Sequence, residues 1–401
     1  MSARRIIRAT KKRITVGLLI VLATLYASFV VFGRGFVLSK TDTLLKRVYT
    51  DDVLDVRNEV VAPPDTRLPV SHGHTLRNHS SEIQNASRVN TSAVNNQSKE
   101  IMQDKTETNQ QEEDAEFLQR MADVQKARHD LIRKRCADTY NITEQVDFRR
   151  DRAKILSWKK LYEHAYANDD FKFIICRVLK VGSFSWRKVI RSLWEKGSPA
   201  FKRKQKMGDY AMREYDDETF LTELENYTKV LYVREPFARL LSGYRDKYVE
   251  LRHFPYYKPI GSKIIQAYRK GATKSQINSG KPTFEEFVRW LVKDPDNREG
   301  DYHWRPLFDW YHPCEMQYDY IGKLETAGED AKYIFKMLGI DKLETYPSTE
   351  THHKFSSTKD ILKQYYSQIS PELLPKIVYR YREEFVLYNY TVPETLSDIW
   401  S

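Results

Sequence analysis

The stretch that most limits how this chain can fold is residues 171–194, an apolar strand that feeds a short turn and then a helix. Phe-Lys-Phe-Ile-Ile-Cys (171–176) is aromatic and β-branched, the composition of a buried central strand. From Ser185 the spacing turns helical, with Trp186, Val189, Ile190 and Trp194 on one face. Between them stands Leu-Lys-Val-Gly-Ser (179–183). A strand entering a tight turn at a helix N-terminus aims backbone N–H groups and the positive end of the helix dipole at one spot, which favours an anion. Lys180 adds a full charge there. The lysine precedes the glycine, so this is not G-x-x-x-x-G-K-[ST], and taken alone it reads first as an ordinary βα turn.

A second junction changes that reading. Lys-Val-Leu-Tyr-Val (229–233) is another buried strand, and it ends on Arg234 with Pro236 suited to the first position of a helix. Arginine presents a fixed fork of donors that matches a phosphate, and the hydroxyl of Ser242, about two helical turns on, adds one more. Two cation-bearing junctions along one sheet edge would suit a nucleotide phosphorylated at both ends. Further helices are expected over 216–227, 260–270, 283–291, 330–338 and 371–385, and a third strand over 318–321. Thr-Phe-Glu-Glu (283–286) is a capping box. Strands alternating with helices predict an α/β fold, a parallel sheet covered on both faces, with ligands beyond the carboxyl ends of its strands.

Residues 14–32 form an uncharged apolar run of 19 residues, enough to cross a bilayer core of roughly 30 Å. Arg4, Arg5, Arg8, Lys11, Lys12 and Arg13 precede it and hold that end in the cytoplasm. The run exceeds the usual apolar core of a signal peptide and no small-x-small site closes it, which favours an uncleaved anchor over a cleaved leader. The expected organisation is a cytoplasmic tail (1–13), a signal anchor (14–32), a lumenal stem (33–130) and a globular domain (131–401). The segment 100–135 is either a stem coiled coil, a route to a homodimer, or the first helix of the domain. N-x-[ST] sequons at Asn78, Asn85, Asn90, Asn96, Asn141, Asn226 and Asn389 agree with a lumenal chain. The net charge of +11 calls for an acidic partner, and a lumenal location makes that a polyanionic glycan rather than nucleic acid. Cys176 ends the apolar strand and reads as a buried thiol, leaving Cys136 and Cys314 to pair with each other or between chains.

Several blocks together resemble one family. Cys-Arg-Val-Leu-Lys-Val-Gly-Ser-Phe-Ser-Trp-Arg-Lys (176–188) is similar to the 5′-phosphosulfate loop of the Golgi carbohydrate sulfotransferases. Val-Arg-Glu-Pro-Phe-Ala-Arg-Leu-Leu-Ser-Gly-Tyr-Arg-Asp-Lys-Tyr (233–248) is similar to their 3′-phosphate motif. His-Trp-Arg-Pro (303–306), His-Pro-Cys (312–314), Tyr-Asp-Tyr-Ile-Gly-Lys-Leu-Glu-Thr (318–326), Tyr-Ser-Gln-Ile-Ser (366–370) and Phe-Val-Leu-Tyr-Asn-Tyr (385–390) resemble later blocks of the branch that contains the chondroitin 4-O-sulfotransferases. The resemblance spans about 135–393. It implies a P-loop-like three-layer sandwich around a central parallel sheet, with 3′-phosphoadenosine-5′-phosphosulfate as co-substrate and no metal. Lys180 would neutralise the departing phosphate. Val181, Gly182, Ser183, Phe184, Ser185 and Trp186 would form the 5′ loop, and Arg234 with Ser242 would hold the 3′-phosphate. His303 is the candidate general base, with a structural histidine packed on Trp304 as the plain alternative and Glu235 as runner-up. The chain departs from the family with Leu179 in place of proline, Phe184 in place of a small hydroxyl residue, and Tyr311 in place of a cysteine.

The acceptor implied is an acidic glycosaminoglycan, first position 4 of N-acetylgalactosamine in chondroitin, with dermatan, N-acetylgalactosamine of glycoproteins and glucuronate as the alternatives that related enzymes use. Lys202, Arg203, Lys204, Lys206, Arg252, Lys258, Lys263, Arg269, Lys270 and Lys274 are the candidate groove cations. Two competing functions stand beside this one. Asp-Pro-Asp (294–296) is the short acidic motif of a metal-using glycosyltransferase, and a tethered lectin would use the same basic surface without transfer.

Overall fold

The computed structural model describes residues 91–162, 165–197, 215–293, 301–347 and 359–396. The apolar run 14–32, Asn78, Asn85, Asn90, the basic cluster 202–206 and the acidic motif 294–296 lie outside them, and among the described residues no helix is long and apolar enough to cross a membrane.

The described chain divides at Lys126. Residues 91–126 are wholly helical, with an i,i+4 bond from Gln119 Nε2 to Asp123 Oδ1 at 3.2 Å. They belong to α1 (Thr91–Tyr140), longer than the expected 100–135; in the second unit Ile132 and Cys136 are buried. There Arg128 donates from Nη1 to Ile321 O at 2.5 Å and to Asp330 Oδ1 at 2.6 Å. Asp330 is fully buried, and its other oxygen accepts from Lys323 N and Thr326 Oγ1, so the carboxylate is satisfied on both sides.

The second unit is built on a four-stranded sheet in the order β1 (Tyr166–Asn168), β2 (Phe173–Ile175), β3 (Thr228–Val233), β4 (Tyr320–Lys323). β2, β3 and β4 run parallel, as the alternation predicts, with Ile175 beside Val230 and Leu231 beside Ile321. β1 corrects the all-parallel expectation. It pairs antiparallel with β2, Ala167 opposite Ile174, and at three residues it is too short to show a period. Helices α2 (Ser183–Lys196) and α3 (Asp217–Asn226, capped by Asp216) link β2 to β3. After β3 come α4 (Pro236–Tyr244), a π-helical turn (Arg245–Val249), α5 (Phe254–Tyr268), α6 (Lys274–Ser279) and α7 (Phe284–Leu291). The capping box at Thr283 and Glu286 forms, and Thr273 with Gln276 makes a second one, which the sequence reading missed. β4 leads to α8 (Ala327–Leu338) and α9 (Lys359–Tyr366). The helix expected over 371–385 is broken at Tyr381 into α10 (Leu374–Arg380) and α11 (Arg382–Leu387).

Two apolar clusters fill this unit. One surrounds the sheet and takes in Trp186, Tyr232, Ile321 and Phe335. The other joins α4, α5 and α7 to α9–α11 through Phe237, Phe284, Phe287, Trp304 and Tyr366. Cys136 is bonded to Cys314, Cα to Cα 5.4 Å, tying the end of α1 to the segment before β4. Cys176 is free and buried, its thiol pushed up to about 12 by burial. Asn141, Asn226 and Asn389 are exposed; Asn96 lies in the early part of α1, of whose side chains nothing is described.

Candidate active site

Because β2 and β3 are parallel neighbours, the turns at their carboxyl ends lie side by side. The turn after β2 passes through two left-handed residues, Lys180 (φ +70°) and Gly182 (φ +89°), and Gly182 is the N-cap of α2. At Gly182 glycine is required twice over. Its φ disfavours a side chain, and a Cβ there would come within 2.6 Å of Tyr346 Oη. Gly182 brings no side chain to cap α2, and the positive end of the helix dipole faces the turn, an arrangement that suits an anion.

The second junction grips the first. Arg234, only 3% exposed, donates from Nη1 to Lys180 O at 3.0 Å, and Arg239 donates from Nε to Leu179 O at 3.3 Å. Both arginines hold their protons less firmly than usual because burial opposes the charge, and Lys180 is lowered by burial too, despite the carboxylate of Asp246. Positive charge gathered in a buried turn fits an anionic ligand. Ser242 is buried on α4 next to Gly243. A Cβ on Gly243 would stand 3.0 Å from His303 O, so its bareness lets the His303 loop pack against α4.

His303 therefore reaches the same site. Its Nε2 lies 3.9 Å from Asp246 Oδ2, while Asp246 Oδ1 lies 3.5 Å from Lys180 Nζ. The imidazole Nδ1 makes a short bond to Asp301 Oδ1, which also accepts from the His303 backbone N–H at 2.9 Å in an Asx turn. Tyr257 Oη donates to Asp301 Oδ2 at 2.8 Å and sits 3.2 Å from His303 Nδ1. With Nδ1–H given to a carboxylate, Nε2 is the open base. Burial lowers the His303 pKa, against the pull of Asp301, and keeps the ring neutral near pH 7. Its ring centroid stands 6.1 Å from that of Trp304, so the packing on Trp304 and the contact with the site coexist.

The remaining sequence candidates divide clearly. Val181 and Trp186 turn their side chains into the core, and Trp186 N donates to Gly182 O, closing the first ring of α2. Ser183 is half-buried and Ser185 buried at the helix start, while Phe184 is 56% exposed with Lys188 Nζ 5.1 Å from its ring centre. Glu235 caps α4, each oxygen accepting one amide, from Phe237 and Ala238, and burial raises it to about 7. Arg269 is half-buried in a two-bonded pair with Glu286, while Arg252, Lys258, Lys263, Lys270 and Lys274 are exposed. Tyr311 is a buried core ring whose carbonyl accepts from Tyr318 Oη. Sequence reasoning missed Asp246, Lys247, Tyr257 and Asp301. It also missed Lys323 at the end of β4, whose half-buried amine donates to Tyr388 O and falls to about 8 because burial opposes its charge. An acid four residues after Ser242 and an acid two before His303 were the available signals. Among the described residues no group of His, Cys, Asp and Glu is arranged to hold a metal ion.

Residues 163–391 match the model of the sulfotransferase family. Carbohydrate sulfotransferase 14 of Danio rerio is 34% identical over 249 residues, 61% of this chain and 66% of that protein, just under two thirds of its length. Carbohydrate sulfotransferase 11 of Rattus norvegicus is 30% identical over 280 residues (67% and 78%), and carbohydrate sulfotransferase 10 of Gallus gallus 31% identical over 290 residues (68% and 77%). No solved structure matches the chain significantly. The α/β fold, the paired strand-end cations and these matches give one result: the chain belongs to the sulfotransferase family, among the carbohydrate sulfotransferases.

Proposed function

We propose that the protein transfers a sulfuryl group from 3′-phosphoadenosine-5′-phosphosulfate to a hydroxyl of an acidic glycosaminoglycan, at position 4 of N-acetylgalactosamine in chondroitin. The family implies the donor. One observation carries the assignment of residues: Lys180, bonded through its carbonyl to Arg234, and His303 lie near different oxygens of the same carboxylate, that of Asp246. The donor supplies an activated sulfur whose bond to a phosphate oxygen breaks. Around it, the first-turn amides of α2 with Ser183 and Ser185 hold the 5′-phosphate, and Arg234 with Ser242 hold the 3′-phosphate. His303 Nε2 takes the hydroxyl proton as the acceptor oxygen bonds to sulfur, and Lys180 meets the charge left on the departing oxygen. Exposed Arg252, Lys258, Lys263, Lys270 and Lys274 support a uronate-bearing acceptor. The apolar run at 14–32 and the exposed sequons support an anchored, lumenal enzyme of the Golgi.

Radiosulfate transfer from labelled donor to a panel of desulfated glycosaminoglycans, read by disaccharide analysis, tests this. Label at position 4 of N-acetylgalactosamine in chondroitin is expected, weakening as salt rises; label confined to dermatan, to glucuronate or to glycoprotein glycans would overturn the acceptor. Sulfate transfer should persist in a chelator; a metal-using glycosyltransferase would move no label from the sulfate donor and would lose its own activity with the metal. Arg234→Ala should raise the donor KM roughly ten- to a hundredfold, the loss of a charged phosphate contact. An unchanged donor KM would remove Arg234 from the site.

A further inference from the structure

Lys180 and His303 belong to different elements, yet one side chain spans them. Asp246 lies on the π-helical turn that follows α4, a wide turn of the kind that concentrates at functional sites. Its Oδ1 is 3.5 Å from Lys180 Nζ and its Oδ2 is 3.9 Å from His303 Nε2. Resting on the proposed transfer, we propose that Asp246 is a positioning residue, its single carboxylate setting the spacing between the ammonium on the donor side and the imidazole on the acceptor side.

The distances suit that task. At 3.9 Å the carboxylate lies beyond hydrogen-bond range and does not hold a proton on Nε2, so the base stays open to a hydroxyl proton. At 3.5 Å the ammonium is held by charge at the margin of a hydrogen bond, free to turn toward a phosphate oxygen. Lys247, itself buried, pairs with Oδ2 at 2.7 Å and fixes the carboxylate, with Arg252 Nε 3.6 Å from Oδ1 at the exposed rim. Burial works to raise the Asp246 pKa, but the ammonium groups of Lys180 and Lys247 outweigh it and lower the pKa.

The charges facing each group fix what removal of this one would do. Lys180 faces Asp246, Arg234 and Lys247; His303 faces Asp301, Tyr257, Lys247 and Asp246. Asp246 raises the pKa of both. Transfer needs a neutral imidazole and a charged ammonium, so kcat/KM rises with pH through His303 and falls through Lys180. In Asp246→Asn both pKa values drop, and both limbs of the profile should move to lower pH, by roughly one unit each. Competitive acylation of Lys180, followed by mass spectrometry without donor or acceptor, should show its amine titrating lower. Asp246→Glu keeps the charge but moves it by one methylene; its limbs should stay while kcat falls about tenfold. It also keeps the partner that buried Lys247 needs, so it folds even where the amide does not. Limbs and labelling unmoved in Asp246→Asn, or full turnover in Asp246→Glu, would overturn the proposal. The labelling needs no sulfate transfer, so a failed functional reading and a failed positioning role give different results.

Discussion

Lys180→Ala is expected to lower kcat for sulfate transfer by two to three orders of magnitude, leaving the donor KM within a few-fold of its starting value. The reason is where charge develops. A cation at the departing oxygen acts chiefly in the transition state, and one preorganised donor of that kind is worth about 10²–10³ in rate. Stability should change little, because the ammonium is mostly buried, at a desolvation cost that its pairing with Asp246 only partly offsets. A thermal melt within a few degrees of the parent separates lost chemistry from lost folding. Lys180→Arg should fail to restore the rate, since a planar fork cannot take the place of a compact ammonium in this turn. Turnover within fivefold of the parent in the alanine variant would remove Lys180 from the chemistry.

Cys314→Ser should cost about 4–5 kcal/mol of stability. The bond between Cys136 and Cys314 joins residues 178 apart in sequence, and closing so long a loop constrains the unfolded chain strongly. Both sulfurs are buried, so the variant also leaves a hydroxyl and a thiol in apolar surroundings. Urea unfolding under oxidising conditions gives the number. Cys136→Ser should lose the same amount, and the double variant scarcely more, because either change removes the whole bond. The parent in reductant should match them. A loss below about 1 kcal/mol would mean that the unfolded chain is already compact there.

The parts of the site that could be read from sequence are those written locally. Strand composition, the turn with its lysine and glycine, proline after Arg234 and the capping box at Thr283 are each short-range signals, and each element appears within a few residues of its expected place. What could not be read is what only the fold brings together. Asp246 stands between Arg245 and Lys247 in a run that looks like solvated charge, and nothing in those letters announces a π turn. Asp301 meets His303 locally, in a turn two residues long, but Tyr257 reaches Asp301 and His303 only because α5 and the 301–307 loop fold together, across 44 and 46 residues of chain. Strand β1 was missed for a different reason. Tyr-Ala-Asn is buried throughout, so it shows no alternation to detect.

The backbone of Lys180 has a consequence of its own. An ordinary L-residue with φ near +70° sits roughly 1–2 kcal/mol above its relaxed conformations. That preload is sustained from outside, by two guanidinium groups that pull on neighbouring carbonyls of the same bend. Arg234 and Arg239 thus act as guy-wires as well as charges. Cutting either one would let the bend slacken and the ammonium drift, so a change made to weaken grip on the nucleotide should also blunt the chemistry.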